Sequence, residues 1–207
     1  MERFKHIDNK KLSNAKLFGD RFSAIDYVVP DNPRYLEVGV GDGHYSRHVA
    51  DKKKPSVMHL VDFFHTPDYA HGKYNAEGHL EFIKNKFCDQ NIQTFVGHSH
   101  DVLPTLSDSQ YDYIYIDASH DYDGVLGEIV LATRLCGPGG VIGINDYTYY
   151  SPHDGEFYEV VEAVNTFLYE NPEWIVLAFQ LGHLGYSDIY ITRDYSGLGE
   201  KSLNLHH

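Results

Sequence analysis

The chain has 207 residues, a formal net charge of −13, 42% hydrophobic and 23% charged residues. That balance suits one soluble globular domain with a full core, and no run reaches the apolar length a bilayer requires, so no membrane is expected. The acidity argues against nucleic acid as the main partner, because affinity for phosphates rests on Lys and Arg.

The N-terminal stretch M-E-R-F-K-H-I-D-N-K lacks the apolar centre of a signal peptide, which makes a cytoplasmic location the expectation. Residues 1–33 read as a helical lead-in. Leu12, Leu17, Phe22 and Ile25 give it broken helical periodicity, and Pro30 stops it. From residue 34 to 207 we read a single domain in which strands and helices alternate, the pattern of a mostly parallel sheet with helices on both faces. The predicted strands are 34–40, 56–63, 92–97, 111–117, 140–146, 174–180 and 187–193. The predicted helices are 44–52, 75–88, 100–106, 121–136 and 155–170. Cys88 and Cys136 fall within helical patterns and read as buried thiols, not a disulfide or metal framework.

Residues 34–43, R-Y-L-E-V-G-V-G-D-G, organise this domain. An apolar strand runs straight into Gly39, Gly41 and Gly43 and then into a helix. Such glycines let the backbone turn tightly and approach a ligand, and the helix that follows offers free N–H groups. A dinucleotide fingerprint, G-x-G-x-x-G, would need a glycine at position 44, where His44 stands. The pattern from Glu37 to Gly43, E-x-G-x-G-x-G, instead resembles motif I of the class I S-adenosylmethionine-dependent methyltransferases. In that family the loop wraps the methionine end of the cofactor, and the opening acid, here Glu37, positions its amino group.

Later strand ends agree. The second strand ends in Asp62, nineteen residues after Gly43, where a carboxylate can accept both ribose hydroxyls. After the third, G-H-S-H-D resembles the adenine turn of the catechol-type O-methyltransferases, which assigns Ser99 and His100 to the adenine. The fourth and fifth strands end in Asp117 and in Asn145-Asp146, and oxygen ligands converging there suit Mg²⁺ or Ca²⁺. The resemblance here is to the metal-dependent O-methyltransferases, although their Asp-Asn pair is inverted to Asn-Asp. His120 stands where that family places a lysine base, and histidine can do this work near neutral pH. Tyr149 and His153, in the loop after the fifth strand, are candidates for acceptor contact, as are the histidines and tyrosines of loop 64–75.

Residues 174–180 and 187–193 are joined too tightly for a parallel crossover and must form an antiparallel hairpin. A Rossmann-like, seven-stranded, mostly parallel sheet ending in such a hairpin is the α/β fold the resemblance implies. The expected activity is methyl transfer from S-adenosylmethionine to a hydroxyl of a small molecule, with a divalent cation assisting and a homo-oligomer left open. Two alternatives stand beside it. One is a nicotinamide-dependent oxidoreductase on a related fold; the other is a nucleotide-binding protein without catalysis.

Overall fold

The computed structural model describes residues 5–64 and 76–193. The lead-in carries helix α1 (Asn9–Leu12), strand β1 (Lys16–Phe18) and helix α2 (Arg21–Val28). Alternation then follows through β2 (Arg34–Val38), α3 (His44–Lys53), β3 (Val57–Asp62), α4 (Ala76–Lys86), β4 (Ile92–Val96) and the short α5 (Ser99–Val102). Next come β5 (Tyr111–Ile116), α6 (Tyr122–Leu135) and β6 (Cys136–Ile144). A small hairpin of β7 (Tyr150–Ser151) and β8 (Glu156–Phe157), helix α7 (Val160–Glu170), and strands β9 (Ile175–Leu181) and β10 (Ser187–Thr192) close the fold.

All seven predicted strands form, in the order β9-β10-β6-β5-β2-β3-β4, with β10 antiparallel to both of its neighbours. The lead-in is not purely helical. Its β1 pairs in parallel with β9, Leu17 opposite Phe179, and makes the sheet eight-stranded.

The core lies in two layers, one on each face of the sheet. Leu36, Ile114, Ile142 and Ile189 pack against α6 and α7. Tyr35, Tyr113, Tyr115 and Tyr190 pack against α2, α3 and α4. Helix α7 buries Val160, Val161, Val164, Phe167 and Leu168, an amphipathic stripe. Burying each large side chain of that stripe contributes about 1.5–3 kcal/mol. Phe157 lies outside the helix, in β8, and is 83% exposed. Cys136 is buried at the start of β6, whereas Cys88 is exposed in the turn after α4. Helix α6 ends at Leu135, directly before β6. Gly137 to Gly139 fall inside β6, where the register with β5 slips between Tyr111 and Tyr113.

Many tyrosines are therefore structural. Tyr35 donates to the Glu37 carboxylate, Tyr45 bonds the Tyr113 hydroxyl, and Tyr190 reaches Asp188 at 3.2 Å. Each lets a large ring fill the interior while its hydroxyl finds a partner.

Candidate functional site

Strand register brings the chemistry to one edge. Val38 lies opposite both Val61 and Ile116, and Ile116 lies opposite Ile144. The residues that follow, Gly39, Asp62, Asp117 and Asn145, therefore form a row beyond the carboxyl ends of the central strands, the usual ligand position in open α/β sheets. Two adjoining cavities open there, one of about 380 Å³ and one of about 910 Å³, and Arg21, His44 and Asp117 line both.

Glu37, Gly39, Gly41, Asp62, Ser99 and Asp117 all line the smaller cavity. Glu37 is buried and accepts from the Tyr35 and Ser46 hydroxyls. Burial lifts its carboxyl to about 8, more than these two donors can offset. Gly39 sits at φ +83, and a Cβ there would lie 1.9 Å from the Asp117 carbonyl oxygen. Close packing of two strand ends thus requires this glycine before any ligand does. Gly43, at φ +70, caps α3, and a Cβ on it would press on Phe87 and Ile83.

Asp62 holds the glycine loop in place. Its Oδ2 accepts the Val40 and Gly41 N–H groups at 2.6 and 3.1 Å, and its Oδ1 accepts the Phe64 N–H at 2.8 Å. A carboxylate has about four acceptor positions, so about one remains for a ribose hydroxyl. On the other side of the loop His79, buried on α4, places Nε2 2.7 Å from the Gly41 carbonyl oxygen.

Ser99 borders the cavity as expected and donates to Glu128 at 2.6 Å. His100 does not. Its ring turns under α6, with Nε2 3.1 Å from the Gly124 carbonyl, and His98 lines the cavity in its place. The reason is Gly127, whose missing Cβ leaves room for the His100 ring. Glu128 itself is fully buried and also receives the Ser119 hydroxyl at 3.0 Å. It joins the turns after β4 and β5 from the opposite helix.

The larger cavity holds Asp117, His120, Asn145, Asp146 and His153, together with Asp154, Tyr158 and Tyr186. Burial first, and then the nearby Asp146 charge, raise the Asp117 carboxyl to about 7. His120 stacks on Tyr158 with ring centroids 4.0 Å apart. Its Nε2 is buried, lies 3.5 Å from Asp146, and makes no hydrogen bond to the described residues. Burial opposes charge on His120, but Asp146, Asp117 and Asp154 prevail and raise its pKa. Asp146 adopts a left-handed φ of 51°, a strained backbone of the kind found at functional sites.

Ligand atoms of Asp117, His120 and Asp146 lie within 4.8 Å of one another. Asn145, expected in this set, turns its oxygen elsewhere. Its Oδ1 accepts from Arg21 at 2.6 Å and from Tyr115 at 3.1 Å, while its Nδ2 donates to Asp117 at 2.7 Å. An oxygen bonded to a guanidinium is a poor cation ligand, so Asn145 orients Asp117 instead. Tyr149 does not line either cavity and is 51% exposed. The histidine and tyrosine candidates of loop 64–75 lie outside the described residues.

Arg21, His79, Glu128, Tyr158 and Asp188 are the residues that sequence reading missed. Only Arg21, directly after the N-cap Asp20 that opens α2, left any signal.

Residues 36–147, more than half of the chain, match the family described as a methyltransferase domain. No curated protein matches the chain significantly. Among solved structures, a SAM-dependent methyltransferase from Aquifex aeolicus shares 15% identity over 89% of this chain and 93% of that one, with a TM-score of 0.57. The O-methyltransferase TomG from Streptomyces achromogenes, solved with SAM, shares 16% identity over 77% and 72%, with a TM-score of 0.52. A Galdieria sulphuraria protein is 22% identical over 60% of this chain, which spans 43% of that longer one at a TM-score of 0.44. At such identities the likeness shows the fold. With the matched region running from β2 through the end of β6, the chain belongs to the methyltransferase-domain family and has the fold of a SAM-dependent methyltransferase.

Proposed function

We propose that the protein transfers the methyl group of S-adenosylmethionine to a hydroxyl of a small molecule. One observation carries this reading: a glycine-loop cavity and a larger polar cavity meet at Asp117, with His120 Nε2 3.5 Å from Asp146 on the acceptor side. TomG, an O-methyltransferase solved with SAM, shares the fold.

Holding sulfonium and acceptor in line across that junction supplies much of the rate, because methyl transfer depends on near-attack geometry. His120 takes the acceptor proton. Neutral imidazole is needed for that, and the surrounding acids raise the pH at which it becomes available. The residues also fit a divalent cation. Asp117 and Asp146 crowd two carboxylates together, and a cation there would relieve the repulsion that helps raise Asp117. Such a cation, Mg²⁺ or Ca²⁺, would favour the deprotonated form of a bound acceptor oxygen.

The test is methyl transfer from labelled S-adenosylmethionine to a panel of small hydroxyl compounds, with and without chelator. His120→Ala should lower turnover by roughly 10²–10⁴-fold, the usual contribution of a positioned base. Chelation should abolish transfer and added Mg²⁺ should restore it. Undiminished activity of both His120→Ala and Asp117→Ala would defeat the proposed site.

A further inference from the structure

Arg21 opens α2 in the lead-in and Asp188 is the second residue of β10, so both stand outside residues 36–147, the part that matches the family. Asp188 is fully buried and accepts Arg21 Nε at 2.9 Å and Nη2 at 3.1 Å. The buried hydroxyls of Tyr115 and Tyr190 also donate to Asp188, at 3.1 and 3.2 Å. The guanidinium carbon lies over two more rings, 5.5 Å from the Tyr45 centre and 5.9 Å from that of Tyr115. An ion pair and two aromatic contacts therefore fix where this cation sits.

From there Nη2 also donates to Asn145 Oδ1 at 2.6 Å. A guanidinium carries donors only, so the amide atom that meets it must be the oxygen. The amide nitrogen is then turned the other way, where Nδ2 donates to Asp117 Oδ1 at 2.7 Å. Reversing the amide would set N–H groups against the guanidinium and an oxygen against the carboxylate, and both bonds would be lost. Arg21 thus selects the one orientation in which Asn145 can hold Asp117. Asp117 lines both cavities, and its ligand oxygen lies within 4.8 Å of those of His120 and Asp146. A continuous chain of bonds, Asp188–Arg21–Asn145–Asp117, runs from the two ends of the described sequence to the junction of the cavities.

We propose that Arg21 is a positioning residue for methyl transfer, fixing the Asn145 amide so that it holds the Asp117 carboxylate at the junction of the two cavities. This rests on the methyl-transfer reading given above. It makes the lead-in and β10 part of the acceptor-side site.

Removing Arg21 alone would strand the buried Asp188 charge, so the test uses the paired substitution Arg21→Met with Asp188→Asn. That pair removes both charges and keeps an acceptor for the two tyrosine hydroxyls. Turnover is measured with labelled S-adenosylmethionine and the hydroxyl compound that the unmodified chain methylates, and cofactor affinity by calorimetry with S-adenosylhomocysteine. The paired variant should lose about 10–100-fold in kcat, the scale of one hydrogen bond to a charged group, while S-adenosylhomocysteine affinity stays within about threefold. Asn145→Ala should lose a similar amount. Adding it to the paired variant should cost less than about a further threefold, because Arg21 acts through Asn145 and the two effects are not independent. If the paired variant does not fold, Arg21→Gln with Asp188→Asn is carried through the same measurements. Undiminished kcat, or losses that multiply with that of Asn145→Ala, would overturn the inference. A fall in S-adenosylhomocysteine affinity as large as the fall in kcat would overturn it too, by marking a cofactor contact or a general structural role. No transfer by the unmodified chain would instead defeat the function reading, and the inference would fall with it.

Discussion

Replacing Gly39 by alanine should damage this protein far more than the same change at another glycine of similar backbone shape. Gly39 and Gly139 both hold a left-handed φ, +83 and +72. An added Cβ therefore costs each about 1–2 kcal/mol in backbone strain. Their surroundings differ. Around Gly139 nothing lies within 4 Å of the new methyl, whereas at Gly39 it would overlap the Asp117 carbonyl oxygen at 1.9 Å, the carbonyl carbon at 2.4 Å and the Ala118 nitrogen at 2.8 Å. All three are backbone atoms, so relief requires β2 and β5 to separate at their ends. Overpacking of that kind adds about 1–3 kcal/mol. Gly39→Ala should then lose about 2–5 kcal/mol in urea unfolding, against about 1–2 for Gly139→Ala. Because Asp117 lines both cavities, Gly39→Ala should also abolish transfer and weaken S-adenosylhomocysteine binding in calorimetry, while Gly139→Ala leaves both intact. Equal destabilisation by the two substitutions, or a fully active Gly39→Ala, would refute the claim that contact with Asp117 fixes this glycine.

Asp62→Ala should weaken S-adenosylhomocysteine binding by about 1–3 kcal/mol and also lower the thermal midpoint, since three loop N–H groups lose their acceptor. A binding loss without any change in melting would mean that Asp62 serves the ribose alone. Glu37 titrates near 8 in the folded chain, above its ordinary 4.5, so folding takes up a proton and stability should decline as pH rises from about 4.5 to 8. If Glu37 holds the cofactor ammonium, as the resemblance to motif I implies, cofactor affinity should move the other way, rising with pH toward 8 as its carboxylate ionises. Glu37→Gln should flatten that part of both profiles, and unchanged profiles in the variant would assign the effect to another group.

The fold class was legible because its signals are local. Apolar runs of strand length, helices with a repeating apolar face, and a hairpin too short for a crossover each follow from consecutive residues. Such signals do not need the rest of the chain to be interpreted. That Glu37, Gly39, Gly41, Asp62, Ser99 and Asp117 would share one cavity could be anticipated for a related reason. Each stands at or just beyond a strand carboxyl end, and the sheet itself places those ends together. What depended on partners distant in sequence could not be read. β1 is three residues long, and only the edge offered by β9 makes it a strand. His100 points away from the cavity because Gly127, on another element, leaves a space for its ring. Asn145 turns its oxygen away from Asp117 and Asp146 because Arg21, 124 residues earlier, takes it. Glu128 carries no motif in the sequence, yet it is buried and receives two serine hydroxyls from separate turns. Sequence thus determined which backbone ends meet, because strand and helix periodicity is written in neighbouring residues. Only the tertiary structure decided which way each polar side chain turns at that meeting point, because burial obliges it to satisfy whichever partner the rest of the fold supplies.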